Sequence, residues 1–115
     1  GFPHGCSDDE LPWAREGEFA ETKYPFVVHA ELNAILNSTQ SLQGCTIYVS
    51  LFPCNECAKA IIQSGISRIV YECDKYADSD EVKASKRMLK AANIELVQLP
   101  YAIELQVSRK QAEKC

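Results

Sequence analysis

Between Cys45 and Leu99 two kinds of apolar segment alternate, and that alternation is the strongest constraint on how the chain can fold. Cys45 to Leu51 contains the β-branched and aromatic run TIYVSL and predicts a strand. Arg68 to Cys73 predicts a second strand and Ile94 to Leu99 a third. The interval Cys54 to Ser64 predicts a helix, opened by Pro53, whose fixed φ suits a first turn, and closed by Gly65. Asp74 to Asp80 reads as a charged loop, with Ser79 or Asp80 placed to cap a helix over Glu81 to Ala92. Strands joined through helices by short connections argue for right-handed crossovers and a parallel layer covered by helices. Upstream, His29 to Asn37 predicts a shorter helix, with Ala30, Ala34, Ile35 and Leu36 on its apolar face and Asn37-Ser38 as its stop.

At 115 residues and 46% hydrophobic, the chain suffices for one compact core and is too short for two. The expectation is a single domain over residues 1–115: a loop segment 1–25, a core 26–100 and a tail 101–115. Ala102 to Val107 fits strand or helix equally, and Ser108 to Lys114 reads as a polar, solvated end. The net charge of −4, with both signs interspersed, offers no basic stripe for a phosphate backbone and argues against a nucleic-acid partner. No apolar run approaches the roughly 18 residues of a membrane span, and Gly1-Phe2-Pro3-His4-Gly5-Cys6 has no secretory pattern, so a cytoplasmic protein is expected. Reduced thiols or metal ligands suit the six cysteines better than disulfides in a chain that can build a core. Cys45 and Cys73 read as buried strand residues, Cys6 as a plain loop thiol, with a fourth zinc ligand or a ligand of a separate site as its alternatives, and Trp13 as a staple for the opening loop.

Two short motifs carry the chemistry. His29-Ala30-Glu31 opens one predicted helix and Pro53-Cys54-Asn55-Glu56-Cys57 opens the next. One imidazole and two thiolates are the ligand set of a catalytic zinc that keeps its fourth position open, whereas structural sites are closed by four protein ligands. Cys54 and Cys57 stand at i and i+3, neighbours on one helix face, at the helix end that favours thiolates. Glu31 follows His29 by two residues and at a first turn can sit beside the metal without ligating it, relaying protons between water and substrate. Two thiolates formally neutralise the ion and moderate its Lewis acidity, which leaves the carboxylate an essential part. Each residue alone has a plainer reading: His29 as a hydrogen-bonded structural histidine, Cys54 and Cys57 as a redox pair. The redox reading leaves His29 and Glu31 unexplained.

His-x-Glu followed by Pro-Cys-x-x-Cys is the signature of zinc nucleobase deaminases. With Gly5-Cys6-Ser7-Asp8-Asp9, Leu11-Pro12-Trp13, Thr22-Lys23-Tyr24-Pro25, Leu51 to Lys59, Asp74-Lys75-Tyr76 and Asp78-Ser79-Asp80, the chain resembles the deoxycytidylate deaminases of the cytidine-deaminase-like superfamily over nearly its whole length. The resemblance implies a three-layer α/β/α fold with a mixed sheet, and an N-terminally truncated one. In the family a helix and an antiparallel strand pair lead into the segment where this chain begins, along with an asparagine that helps hold the nucleotide. It implies Zn²⁺ on His29, Cys54 and Cys57, Glu31 as catalytic proton shuttle, and hydrolysis of dCMP to dUMP and ammonia in pyrimidine nucleotide biosynthesis. Lys75 and Tyr76 would face the nucleotide. Gly5, Cys6, Ser7 and Asp8 would lie near a regulatory site for dCTP or dTTP, where Mg²⁺ could accompany the nucleotide, and the protein would be a homo-oligomer. Two alternatives share the motif: a zinc deaminase for another nucleoside or base, and a zinc-stabilised interaction domain without activity.

Overall fold

The computed structural model describes residues 1–102 and 104–110. Three strands, β1 (Thr46–Leu51), β2 (Arg68–Cys73) and β3 (Glu95–Gln98), form a parallel sheet in the order β1-β2-β3. Each crossover is a helix: α2 (Asn55–Gln63) between β1 and β2, α3 (Asp80–Ala91) between β2 and β3. A shorter helix, α1 (Ala30–Leu36), precedes β1 and packs on α2. The described residues thus supply the parallel part of the expected sheet and helices on one of its sides.

Local sequence explains the elements. In α2 the buried residues Cys57, Ala58 and Ile61 share one face, and in α3 Val82, Ser85 and Leu89 do so at helical spacing. Ser79 caps α3, its hydroxyl accepting from the Val82 amide at 3.3 Å. Gly65 ends α2 with φ +83°, a left-handed turn that glycine adopts without strain. Register places Ile47, Ile69 and Leu96 side by side on the helix-covered face. There they meet Ile61, Val82 and Leu89, each fully or nearly fully buried and each worth about 1.5–3 kcal/mol of burial. Tyr48, Val70 and Val97 share the opposite face, where Tyr48 is largely exposed.

Several expectations are corrected. Cys45 is exposed, not buried, because β1 begins one residue later and Cys45 belongs to the Gly44 turn that enters it. Cys73 is only half-buried at the last position of β2. The apolar face of α1 reduces to Ile35, which packs against the core, while Ala30, Ala34 and Leu36 are exposed on a helix of 7 residues at the rim. Residues 1–25 contain one 3-10 turn, Phe19–Glu21, in an otherwise irregular course stapled where the Phe2 and Trp13 rings meet at 4.3 Å. Of 102–107, the described residues form neither strand nor helix; Ile103 lies outside them, as do 111–115 including Cys115. No helix among the described residues is long and apolar enough to cross a membrane.

Candidate metal centre

His29 and Cys54 occupy equivalent places, each the N-cap of its helix: His29 of α1 and Cys54 of α2. An N-cap side chain ordinarily bends back to accept from its own helix. Neither does so here. Their extended backbones, with ψ of 147° and 172°, turn both side chains off the helices and toward each other. Cys57, in the first turn of α2, completes the group from below and is buried.

His29 Nδ1 lies 3.5 Å from Cys54 Sγ and 3.4 Å from Cys57 Sγ. All three donor atoms fall within 4.8 Å of one another. A tetrahedral ion with bonds of about 2.0 Å to nitrogen and 2.3 Å to sulfur separates those atoms by about 3.5 Å. The donor set and its spacing therefore fit zinc. Electrostatics point the same way. The Cys57 thiol is pushed far above the ordinary thiol range by burial, then by the neighbouring Cys54 and Glu31. Without a cation, a thiolate beside a second sulfur and a carboxylate is strongly disfavoured; a divalent cation reverses that balance. Glu31 stands in the first turn of α1, close enough to act on Cys57 yet outside the donor triad.

The triad borders a cleft of about 660 Å³, a volume usual for small-molecule sites. His29, Glu31 and Cys54 line it, with Ser50, Leu51 and Phe52 from the carboxyl end of β1. That is where open parallel sheets place their ligands. Tyr24 from the opening loop, Tyr76 and Ser79 from the β2–α3 connection and Glu81 from the first turn of α3 complete its lining. Tyr76 thus reaches the cleft. Lys75 does not line it but holds its ammonium 5.1 Å from the Tyr76 ring centre. Gly5, Cys6, Ser7 and Asp8 are exposed, lie outside the cleft wall, and form successive turns closed by Cys6 N–H to Pro3 O and Glu10 N–H to Ser7 O. Tyr24 and Glu81 acquire a place that sequence reasoning did not assign. Tyr24 carried only a resemblance, and Glu81 read as a charge of the first turn of α3, without a sign that it would face a cavity.

Residues 8–73 match the family model described as the cytidine and deoxycytidylate deaminase zinc-binding region, a span that holds His29, Glu31, Cys54 and Cys57. The chain belongs to the cytidine and deoxycytidylate deaminase family. It is 54% identical over 96 residues to the deoxycytidylate deaminase of Homo sapiens, covering 82% of this chain and 54% of that protein. It is 55% identical over 102 residues to the probable deoxycytidylate deaminase of Drosophila melanogaster, covering 83% of this chain and 50% of that one. The chain spans about half the length of these curated deaminases. Among solved structures it resembles the dCMP deaminase of cyanophage S-TIM5 in complex with dCMP and dUMP, with a TM-score of 0.58 and 28% identity over 73% of this chain and 60% of that one.

Proposed function

We propose that this chain carries the zinc centre and catalytic carboxylate of a deoxycytidylate deaminase, which hydrolyses dCMP to dUMP and ammonia. One observation supports this reading above others: a His29–Cys54–Cys57 triad with Nδ1 to sulfur spacing suited to zinc, bordered by a carboxylate that does not ligate and opening onto a cleft. The deoxycytidylate branch is favoured by the named relatives at 54–55% identity and by the dCMP- and dUMP-bound cyanophage enzyme.

His29 through Nδ1, Cys54 and Cys57 would hold the ion. Zinc there would supply the Lewis acidity that makes water a stronger acid. Glu31 would accept a proton from water and deliver it to N3 of the cytosine, then take the second proton from the hydroxyl added at C4 and deliver it to the departing amine. Water adds at C4 and the C4–N4 bond breaks; N3 keeps one of the water's protons and ammonia leaves with the other, so atoms and charge balance. Tyr24 and Tyr76 flank the cleft and offer ring faces to a base or sugar and hydroxyls to phosphate. Lys75, held on the Tyr76 ring beside the cleft wall, would supply a positive charge for the phosphate. The same reading extends to pyrimidine nucleotide supply in the cytoplasm, a homo-oligomer, and effector nucleotides with Mg²⁺ near Gly5 to Asp8.

The test is dUMP and ammonia production from dCMP by zinc-analysed protein, as this chain and extended to the length of its relatives, with Glu31→Gln beside each. Expected is turnover that Glu31→Gln lowers by about 10²- to 10⁴-fold while zinc stays stoichiometric. Stoichiometric zinc without turnover in either length would favour the interaction-domain alternative. Preference for cytidine, guanine or an adenosine substrate would reassign the specificity.

A further inference from the structure

The turn that presents Cys54 is held by a residue 32 positions further along the chain. Phe52 precedes Pro53 and Cys54, and its ring is 6% exposed. Its edge meets Tyr71 of β2, with ring centres 4.8 Å apart at 88°, and its amide donates to the Cys73 carbonyl at 2.9 Å. Over that ring, 5.1 Å from its centre, sits the ammonium of Lys86 from α3. The same ammonium donates to Asp74 Oδ2 at 2.5 Å. Asp74 opens the loop that carries Tyr76 and Ser79 into the cleft wall, and its carbonyl accepts from the Ala77 amide at 3.1 Å. Its side chain is only 18% exposed, and Oδ1 is buried with no hydrogen-bond partner among the described residues. Among the described residues Lys86 is therefore the one group that compensates this carboxylate. It differs in kind from the Lys59–Glu56 pair within α2, whose side chains are 52% and 72% exposed. Exposed pairs of that sort contribute little, whereas a half-buried ammonium shared by a ring and a carboxylate fixes both.

We infer that Lys86 is a positioning residue of the metal site. Through Phe52 it sets the approach of Cys54 to His29 and Cys57, and through Asp74 it sets the loop that forms part of the cleft wall. Pro53 is fully buried, so the direction of the Cys54 side chain follows from where Phe52 is held. The inference rests on the reading of the triad as a zinc site and is independent of which base is deaminated.

Zinc affinity, read by chelator competition on this chain, tests it. Lys86→Met should weaken zinc about tenfold, at the low end of the roughly 10- to 100-fold seen when direct partners of metal ligands are removed. Lys86→Arg, which keeps a cation able to pair and to stack, should restore most of the loss. Lys59→Met should change nothing. Because Lys86→Met leaves Asp74 unpaired and can unfold the chain, Asp74→Asn with Lys86→Met removes the burial penalty and still deletes the clamp. Wild-type zinc affinity in that folded double variant, or a loss that Lys86→Arg does not rescue, overturns the inference. A wild-type chain that binds no zinc overturns it together with the proposed function. A chain that binds zinc tightly but leaves dCMP untouched fails only the substrate reading, and the ratio of Lys86→Met to wild-type affinity still judges Lys86. In protein that turns over, Lys86→Met should also raise KM more than it lowers kcat, since the cleft wall moves and Glu31 does not.

Discussion

Cys57 shows how one side chain can require a cation that its neighbours alone cannot replace. Burial, Cys54 and Glu31 all push its thiol upward, so in the metal-free chain it holds its proton throughout the neutral range. Zinc takes the thiolate and must expel that proton, so the sign is fixed: affinity rises with pH and falls as acid is added, about tenfold per pH unit for each proton released. Chelator competition between pH 6 and 8, with proton release followed by an indicator dye, should show at least one proton per zinc. An affinity that stays flat across that range would mean that Cys57 is no ligand. The centre was legible in the sequence because its chemistry resides in residue types at fixed spacing. His29, Glu31, Cys54 and Cys57 announce themselves, and the structure brings all four together. Lys86 could not be read that way. A lysine in the middle of a charged helix looks like any solvated lysine until α3 lays it over Phe52.

At the level of elements, each helix stop and start is written in a residue whose backbone or side chain does one job. Gly65 is the sharpest case. At φ +83° it ends α2, its carbonyl accepts from the Gly44 amide at 2.9 Å, and a Cβ there would run into the Gln43 side chain and come within 3.2 Å of Gln43 Cα. Gly65→Ala should cost about 2 kcal/mol, from the left-handed strain and the crowding together. It should lower the denaturation midpoint without changing the zinc-to-protein ratio; an unchanged midpoint would show that the turn relaxes freely. Such stops explain why the strands and the two crossover helices fell within a residue or two of their expected limits. Where the sequence misled, a local pattern was overruled by position. Ala30, Ala34 and Leu36 have helical spacing, but α1 meets its neighbours over too short a length to cover them. Cys45 continues an apolar run yet stands before the first ladder pair, Thr46 with Arg68.

For the whole molecule, the surface is larger than its mass calls for. The accessible area is 9005 Å², against about 6,300 Å² for a folded monomer of 12.8 kDa. The radius of gyration is 17.2 Å, where about 13 Å is usual for a compact domain of this length. Part of the excess is the irregular opening and the tail, and part is the sheet face turned away from the helices. On that face Tyr48 is 71% exposed beside Val70 and Val97, and among the described residues its strand β1 is paired on one side only. An apolar face joined to an unpaired strand edge is a surface on which chains associate. Sedimentation should therefore find this chain self-associating as its concentration rises, and Tyr48→Glu, which places a charge on both the face and the edge strand, should shift it toward monomer. Tyr48 also lines a small cavity with Ala30 and Glu31 of α1, so zinc stoichiometry should be followed beside association as a control. If the wild-type chain stays monomeric at every concentration, the sheet face is not an association surface. If instead Tyr48→Glu associates as strongly as wild type, the contact runs through the opening loop or the tail, and the sheet face is not what brings copies together.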